Sequence, residues 1–115
     1  MRNKEDKYYI EKALNEINII IKYLNNKSYE EFVSDEQLID SIMFRLIQLG
    51  EHIKKMSLEF KDDYPNIPWG KILGFRNGIV HEYGMTNYMT VYKIISQDIL
   101  DLKILFESMI NWFFV

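Results

Sequence analysis

Residues 35–56 read DEQLIDSIMFRLIQLGEHIKKM, and this stretch decides the fold. Ile39, Ile42, Leu46, Leu49, Ile53 and Met56 recur at spacings of three and four, the repeat of one helix face, whereas a strand would alternate every second residue. Met43, Ile47 and Gly50 form a second smooth strip about a quarter-turn away. Two such faces on one helix imply a covering surface beyond the monomer's own core. Ser34 and Asp35 offer an N-cap, a side-chain oxygen able to accept from first-turn amides.

The pattern extends in both directions. Ile10, Leu14, Ile17, Ile21 and Leu24 mark an amphipathic first helix that runs out at NNKS, residues 25–28. Ser28 and Glu31 have the spacing of a capping box for one short extra turn, YEEF at 29–32. On the other side, DDYPNIP at 62–68 breaks the second long helix and sets Pro68 in the first turn of a third. Tyr92, Ile95, Ile99, Leu102, Phe106, Met109 and Phe113 carry the last helix. No run alternates like a strand, and no repeat or low-complexity segment interrupts the chain. The expectation is one all-α domain over residues 1–115, an up-down four-helix bundle with a short extra helical turn.

Composition limits the chemistry. The 115 residues, 48% hydrophobic, suffice for one core. Seventeen acidic against 14 basic side chains give a net charge of −3, which excludes avid nonspecific binding to polyphosphate, so any nucleic-acid chemistry must be local. There is no cysteine, and the two histidines lack acidic companions at ligand spacing, so no metal site is expected. No glycine-rich phosphate loop is present, so the chain itself is not expected to bind a nucleotide cofactor. The N-terminus shows no cationic-then-apolar leader, and no apolar run approaches the roughly 20 residues of a membrane span. A cytoplasmic protein without membrane insertion is expected.

The third helix, roughly residues 68–83, contains GFRNGIVHEYGM at 74–85. On a helical wheel Trp69, Ile72, Leu73, Phe75, Ile79, Val80 and Tyr83 cover one arc. Gly70, Gly74 and Gly78 recur every fourth residue on the other side, each costing about 1 kcal/mol relative to alanine. A stripe without side chains admits close approach by another backbone, here expected from a second copy of the chain. Asn77 and His81 lie within about 60° of that stripe. Gly84 suits a helix C-terminus, leaving Tyr83 at an accessible tip. Arg76 lies about 140° from His81, inside the apolar arc. It either reaches around to join the histidine or makes a structural salt bridge, with Glu51 as a candidate partner. His52 has no comparable company and reads as a surface residue.

Arg76, Asn77, His81 and Tyr83 together fit R-x-x-x-x-H-x-Y opening with Arg-Asn, the signature of the HepT-like toxins of the HEPN superfamily. The chain resembles that family over nearly its whole length. SYEEFVSDEQLIDSIMFRLIQLGEHIKKMSLEF is similar to its second-helix region, and YPNIPWGKILGFRNGIVHEY to its motif segment. GMTNYMT after Tyr83 departs from it, standing where a Phe-containing turn is usual. The resemblance implies a metal-independent ribonuclease that acts on RNA and not DNA, as a homodimer with its site where two motif helices meet. It would use His81 for proton transfer, Arg76 for phosphate stabilisation and Asn77 for orientation, with Gly74, Gly78 and Glu51 supporting the site. It further implies an MntA-like nucleotidyltransferase antitoxin that uses ATP and magnesium to place AMP on Tyr83, the toxin itself needing no cofactor. The alternative is a catalytically idle HEPN subunit that docks on a nucleotidyltransferase. A plain structural dimer is a third reading, resting on the glycines alone.

Overall fold

The structure, a computed structural model, describes the backbone of residues 4–74 and 87–113 and the side chains of residues 5–74 and 87–111. All regular structure among these residues is helical. The elements are α1 (Lys4–Leu24), α2 (Tyr29–Val33), α3 (Glu36–Lys54), α4 (Leu58–Asp62), α5 (described over residues 69–74), α6 (Tyr88–Lys93) and α7 (Ile99–Phe113). A π-helical segment, Ile94–Asp98, joins α6 to α7.

Helix α1 packs against both α3 and α7, and its buried stripe shows why. Ile10, Ala13, Ile17 and Ile20 are wholly buried, with Leu24 nearly so. Leu14 and Ile21, expected at the centre of the stripe, are half-buried at its edge. A helix covered on two sides needs a broad apolar face, and the small Ala13 belongs to it as fully as the isoleucines do. The α1 helix ends where Asn25 and Asn26 take positive φ of 46° and 60°, a conformation asparagine tolerates better than other residues with a β-carbon. The α1 and α3 helices are antiparallel. Arg45 Nη1 donates to Glu16 Oε1 at 3.2 Å, while ten and more residues away Asp6 accepts from both the amide and the hydroxyl of Ser57, at 2.7 and 2.6 Å.

The expected caps are present. Ser28 and Glu31 form the capping box of α2, which holds the Glu31 carboxyl below its usual range through the Ser28 amide first and its hydroxyl second. Asp35 caps α3 by accepting from the Leu38 amide at 3.0 Å. Every residue of the main α3 stripe is buried.

Four expectations need correction. First, Met43 and Gly50 are buried within the one chain and Ile47 packs at the edge of its core, so the second strip of α3 gives no reason for a partner. Second, α3 stops at Lys54, well before DDYPNIP, because Ser57 caps a separate helix, α4, by accepting from the Phe60 amide at 3.1 Å. Phe60 of that helix is buried against Tyr64 and Trp69. Third, the last helix is not uniform. A π segment interrupts it, and Val91, Ile94 and Ile95 are buried along with Ile99, Leu102, Phe106 and Met109. The Ser96 hydroxyl donates to the Tyr92 carbonyl at 2.6 Å, occupying an acceptor in the widened turn. Tyr92 itself is half-buried, its hydroxyl donating to the Lys27 carbonyl at 2.6 Å across the α1–α2 turn.

Fourth, His52 is not a plain surface residue. It is half-buried against α1, its ring stacked on Tyr9 with centroids 6.5 Å apart. Burial pushes the imidazole below its ordinary range, opposed by the Glu16 carboxylate and aided by Lys55 and Lys12.

Two measurements check this packing. Phe106→Ala empties a fully buried site and is expected to lower the urea-unfolding free energy by about 3–5 kcal/mol, while Ser57→Ala, which removes a cap and a hydrogen bond to buried Asp6, costs about 1–2 kcal/mol. For His52 the unfolded chain binds the proton more readily than the folded one. Its contribution to stability is therefore complete above the unfolded value near pH 6.5 and declines as pH falls toward the lower folded value. His52→Phe, which keeps a ring beside Tyr9 but cannot titrate, should lose less melting temperature than the parent between about pH 7.5 and pH 5.5. An equal or larger loss would show that His52 does not carry this dependence.

Candidate active site

Arg76, Asn77, Gly78, His81 and Tyr83 lie outside the described residues, as does any pairing of Arg76. Their flanks are described, and both are firmly held. On the N-terminal side Pro68 opens α5, its carbonyl accepting from the Ile72 amide at 3.1 Å. Trp69 follows, and its indole nitrogen donates to the carbonyls of Lys61 and Tyr64 at 3.1 and 3.0 Å. The same indole stacks on Phe106 of α7 at 6.4 Å and meets Phe60 of α4 at 6.0 Å. A single side chain thus ties the first turn of α5 to two other helices, by hydrogen bonds at its polar edge and packing on its faces. Tyr64 reinforces the cluster, its hydroxyl 3.1 Å from Met109 Sδ.

One turn on, Ile72 is buried and Leu73 half-buried, as the apolar arc requires. Lys71 Nζ pairs with Asp98 Oδ2 at 2.8 Å, and Asp98 is the last residue of the π segment. The widened turn and α5 are therefore linked by an ion pair between partly exposed groups. On the C-terminal side, Asn87 caps α6 by accepting from the Met89 and Thr90 amides at 3.0 and 3.3 Å. Twelve residues, 75–86, run between these anchors and contain the whole motif.

The glycine stripe is described at two of its three positions. Gly70 and Gly74 are exposed, and a β-carbon built on either would meet nothing within 4 Å. Packing among the described residues therefore does not explain them. Glu51, named as a supporting residue, is half-buried on α3. Among the described residues no three acidic or histidine side chains converge as a metal-ligand set, and no helix is long and apolar enough to cross a membrane.

Sequence reasoning missed the Lys71–Asp98 pair and the two hydrogen bonds of the Trp69 indole. No local signal points to the first, since 27 residues separate its members. The second had a partial signal: a tryptophan directly after a proline at a helix start, with its N–H needing an acceptor once the ring is buried.

Comparison with known proteins gives the family of the chain. The family model described as Ribonuclease HepT-like matches residues 13–109, which include the motif segment and both its anchors. "Putative RNase TTE0752" of Caldanaerobacter subterraneus subsp. tengcongensis is 31% identical over 100 residues, covering 87% of this chain and 89% of that one. "Putative RNase MJ1216" of Methanocaldococcus jannaschii is 28% identical over 111 residues, covering 96% and 92%. "Probable ribonuclease HepT" of Thermococcus cleftensis is 26% identical over 106 residues, covering 92% and 96%. No solved structure matches the chain. With a family model spanning most of its length and relatives of similar size aligned end to end, the chain belongs to the HepT-like ribonuclease family.

Proposed function

We propose that this chain is an RNA endonuclease that needs no metal, works as a homodimer, and is restrained by a nucleotidyltransferase partner. The observation that carries the reading is the family match across residues 13–109, within which Arg76, Asn77, His81 and Tyr83 stand at the motif spacing.

The chemistry follows from the side chains. A base removes the proton from a ribose 2′-OH, and the oxygen attacks the adjacent phosphorus. The bond from phosphorus to the 5′ oxygen breaks as that oxygen takes up a proton, leaving a 2′,3′-cyclic phosphate and a 5′-OH. His81 can serve as base or acid because imidazole titrates near neutrality. The Arg76 guanidinium offers a planar fork of donors to phosphoryl oxygens whose charge grows in the transition state. Asn77 would orient the nucleotide or the imidazole. The second subunit's copy of the histidine would supply the other proton transfer. That arrangement explains why Gly70 and Gly74 are bare and uncovered on a helix that loses stability through each of them.

Purified protein is expected to cut RNA but not matching DNA, to keep doing so in EDTA, and to leave cyclic-phosphate and 5′-OH ends. His81→Ala and Arg76→Ala should each cut activity at least about a hundredfold. If Arg76→Ala instead unfolds the chain, the arginine is structural. Nothing among the described residues crowds Gly74, so Gly74→Leu should leave the fold intact while abolishing both the dimer seen by light scattering and the cleavage. Ends bearing 3′-OH, or activity lost to chelation and restored by magnesium, would defeat the mechanism. A chain that cuts nothing yet binds a nucleotidyltransferase would be the idle subunit.

Control would act at Tyr83. An AMP attached to its phenol adds bulk and negative charge close in sequence to Arg76, which could then pair with the new phosphate instead of RNA. Co-expression with an MntA-like nucleotidyltransferase, using ATP and magnesium, should add one or more AMP units to the peptide containing Tyr83 and silence the nuclease. Mass spectrometry should find none on Tyr83→Phe. An adduct on Tyr88 or Tyr92, or a modified protein that cuts at the parent rate, would refute this control.

A further inference from the structure

The seam between α1 and α3 has a solvent side. Arg45, Gln48, His52 and Lys55 fall at spacings of three, four and three, so they share one face of α3 over about 15 Å. Opposite them α1 presents Tyr8, Tyr9 and Lys12. Cations sit over aromatic rings at both ends of this strip. Lys12 Nζ is 5.4 Å from the Tyr8 centroid, Lys55 Nζ is 5.8 Å from that of Tyr9, and Arg45 Cζ is 5.5 Å from that of Phe44. Tyr8 and Phe44 are more than half exposed, at 54% and 53%. Tyr8 meets Tyr9 edge to face at 5.1 Å, and Tyr9 rests on His52, so the rings at that end are braced.

Glu16, beside this face, is buried and engaged by Arg45. Neither Lys12 nor Lys55 forms an ion pair with a described carboxylate. A cationic, aromatic strip therefore stands on a chain whose net charge is −3. We propose that this α1–α3 face is a track for single-stranded RNA, with Tyr8 and Phe44 as stacking platforms and Lys12 and Lys55 as phosphate contacts.

Exposed rings accept any base, and cations beside them meet the backbone phosphates, the combination that single-strand binding requires. A second copy of the chain is a poor occupant, because a two-fold contact would set the positive strip against itself. The proposal rests on the ribonuclease reading and adds where substrate is held apart from the reacting groups.

Fluorescence anisotropy with a labelled single-stranded 2′-O-methyl oligonucleotide tests it, since that probe stacks and carries phosphates but has no free hydroxyl to attack with. Tyr8→Ala and Phe44→Ala are each expected to weaken binding about tenfold. The Lys12→Gln/Lys55→Gln double variant should lower the slope of log Kd against log salt by about 1.4, from roughly 0.7 per lost phosphate contact. Lys22→Gln, farther along α1, should leave both unchanged. Unaltered affinity and slope in the track variants would overturn the proposal. So would an equal effect of Lys22→Gln, or a change in oligomeric size in place of RNA binding. If the parent cuts RNA while these variants bind the probe normally, the track alone fails. A parent that neither binds nor cuts RNA removes the ribonuclease reading with it.

Discussion

The burial of α1 between α3 and α7 is the constraint on which the remaining architecture depends. Ile10, Ala13, Ile17 and Ile20 are excluded from water altogether, and no single neighbour could cover so broad a face. At about 25 cal/mol per Å² of apolar surface, such a stripe contributes several kcal/mol, far more than any surface ion pair in the chain. Two polar fastenings set how α3 lies against it. Glu16 with Arg45 marks one level, Asp6 with Ser57 another, and both carboxylates are buried with their partners supplied. Either acid left without its partner would cost more than the bond contributes, so these pairs discourage any slip of one helix along the other.

The Asp6–Ser57 contact has a consequence beyond the seam. Ser57 is also the cap of α4, so the point at which α3 gives way to α4 is held by the N-terminal turn of α1. Phe60 of α4 then contributes to the aromatic cluster that receives Trp69, and Trp69 begins α5. Packing at the far end of α1 is in this way continuous with the seat of α5. The Lys71–Asp98 pair joins the same helix to the π segment, whose Ile94 and Ile95 stay in the core. A wider turn is costly in hydrogen-bond geometry. It persists here with a hydroxyl from Ser96 on the Tyr92 carbonyl and apolar burial on its inner side.

Much of this was legible in the sequence. The main stripe of α3, the capping box at Ser28 and Glu31 and the cap at Asp35 follow from spacing and side-chain chemistry within a few residues, and the structure has each of them. The candidate site was legible as a motif, and the exposed, uncovered Gly70 and Gly74 fit the outward-facing side to which the wheel assigned them. What escaped notice depended on distant partners. His52 looked like a surface residue because the ring against it, Tyr9, is forty-three positions away in the chain. The second strip of α3 looked unpartnered because periodicity reports that a face is apolar without reporting what covers it.

By itself the sequence determined the all-helical class, the caps at Ser28 and Asp35 and the start of the third helix at Pro68, since these depend on local periodicity, caps and breakers acting within a turn or two. Only the tertiary structure decided that Leu14 and Ile21 flank the core while Ala13 and Ile20 fill it, and that Ser57 divides a helix that periodicity would continue. It also decided that Asp98 reaches Lys71 from a widened turn. The reason is physical. A wheel assumes one straight helix in water, whereas burial on two sides, a cap held by a remote carboxylate and an inserted π turn are set by neighbours that the local sequence does not contain.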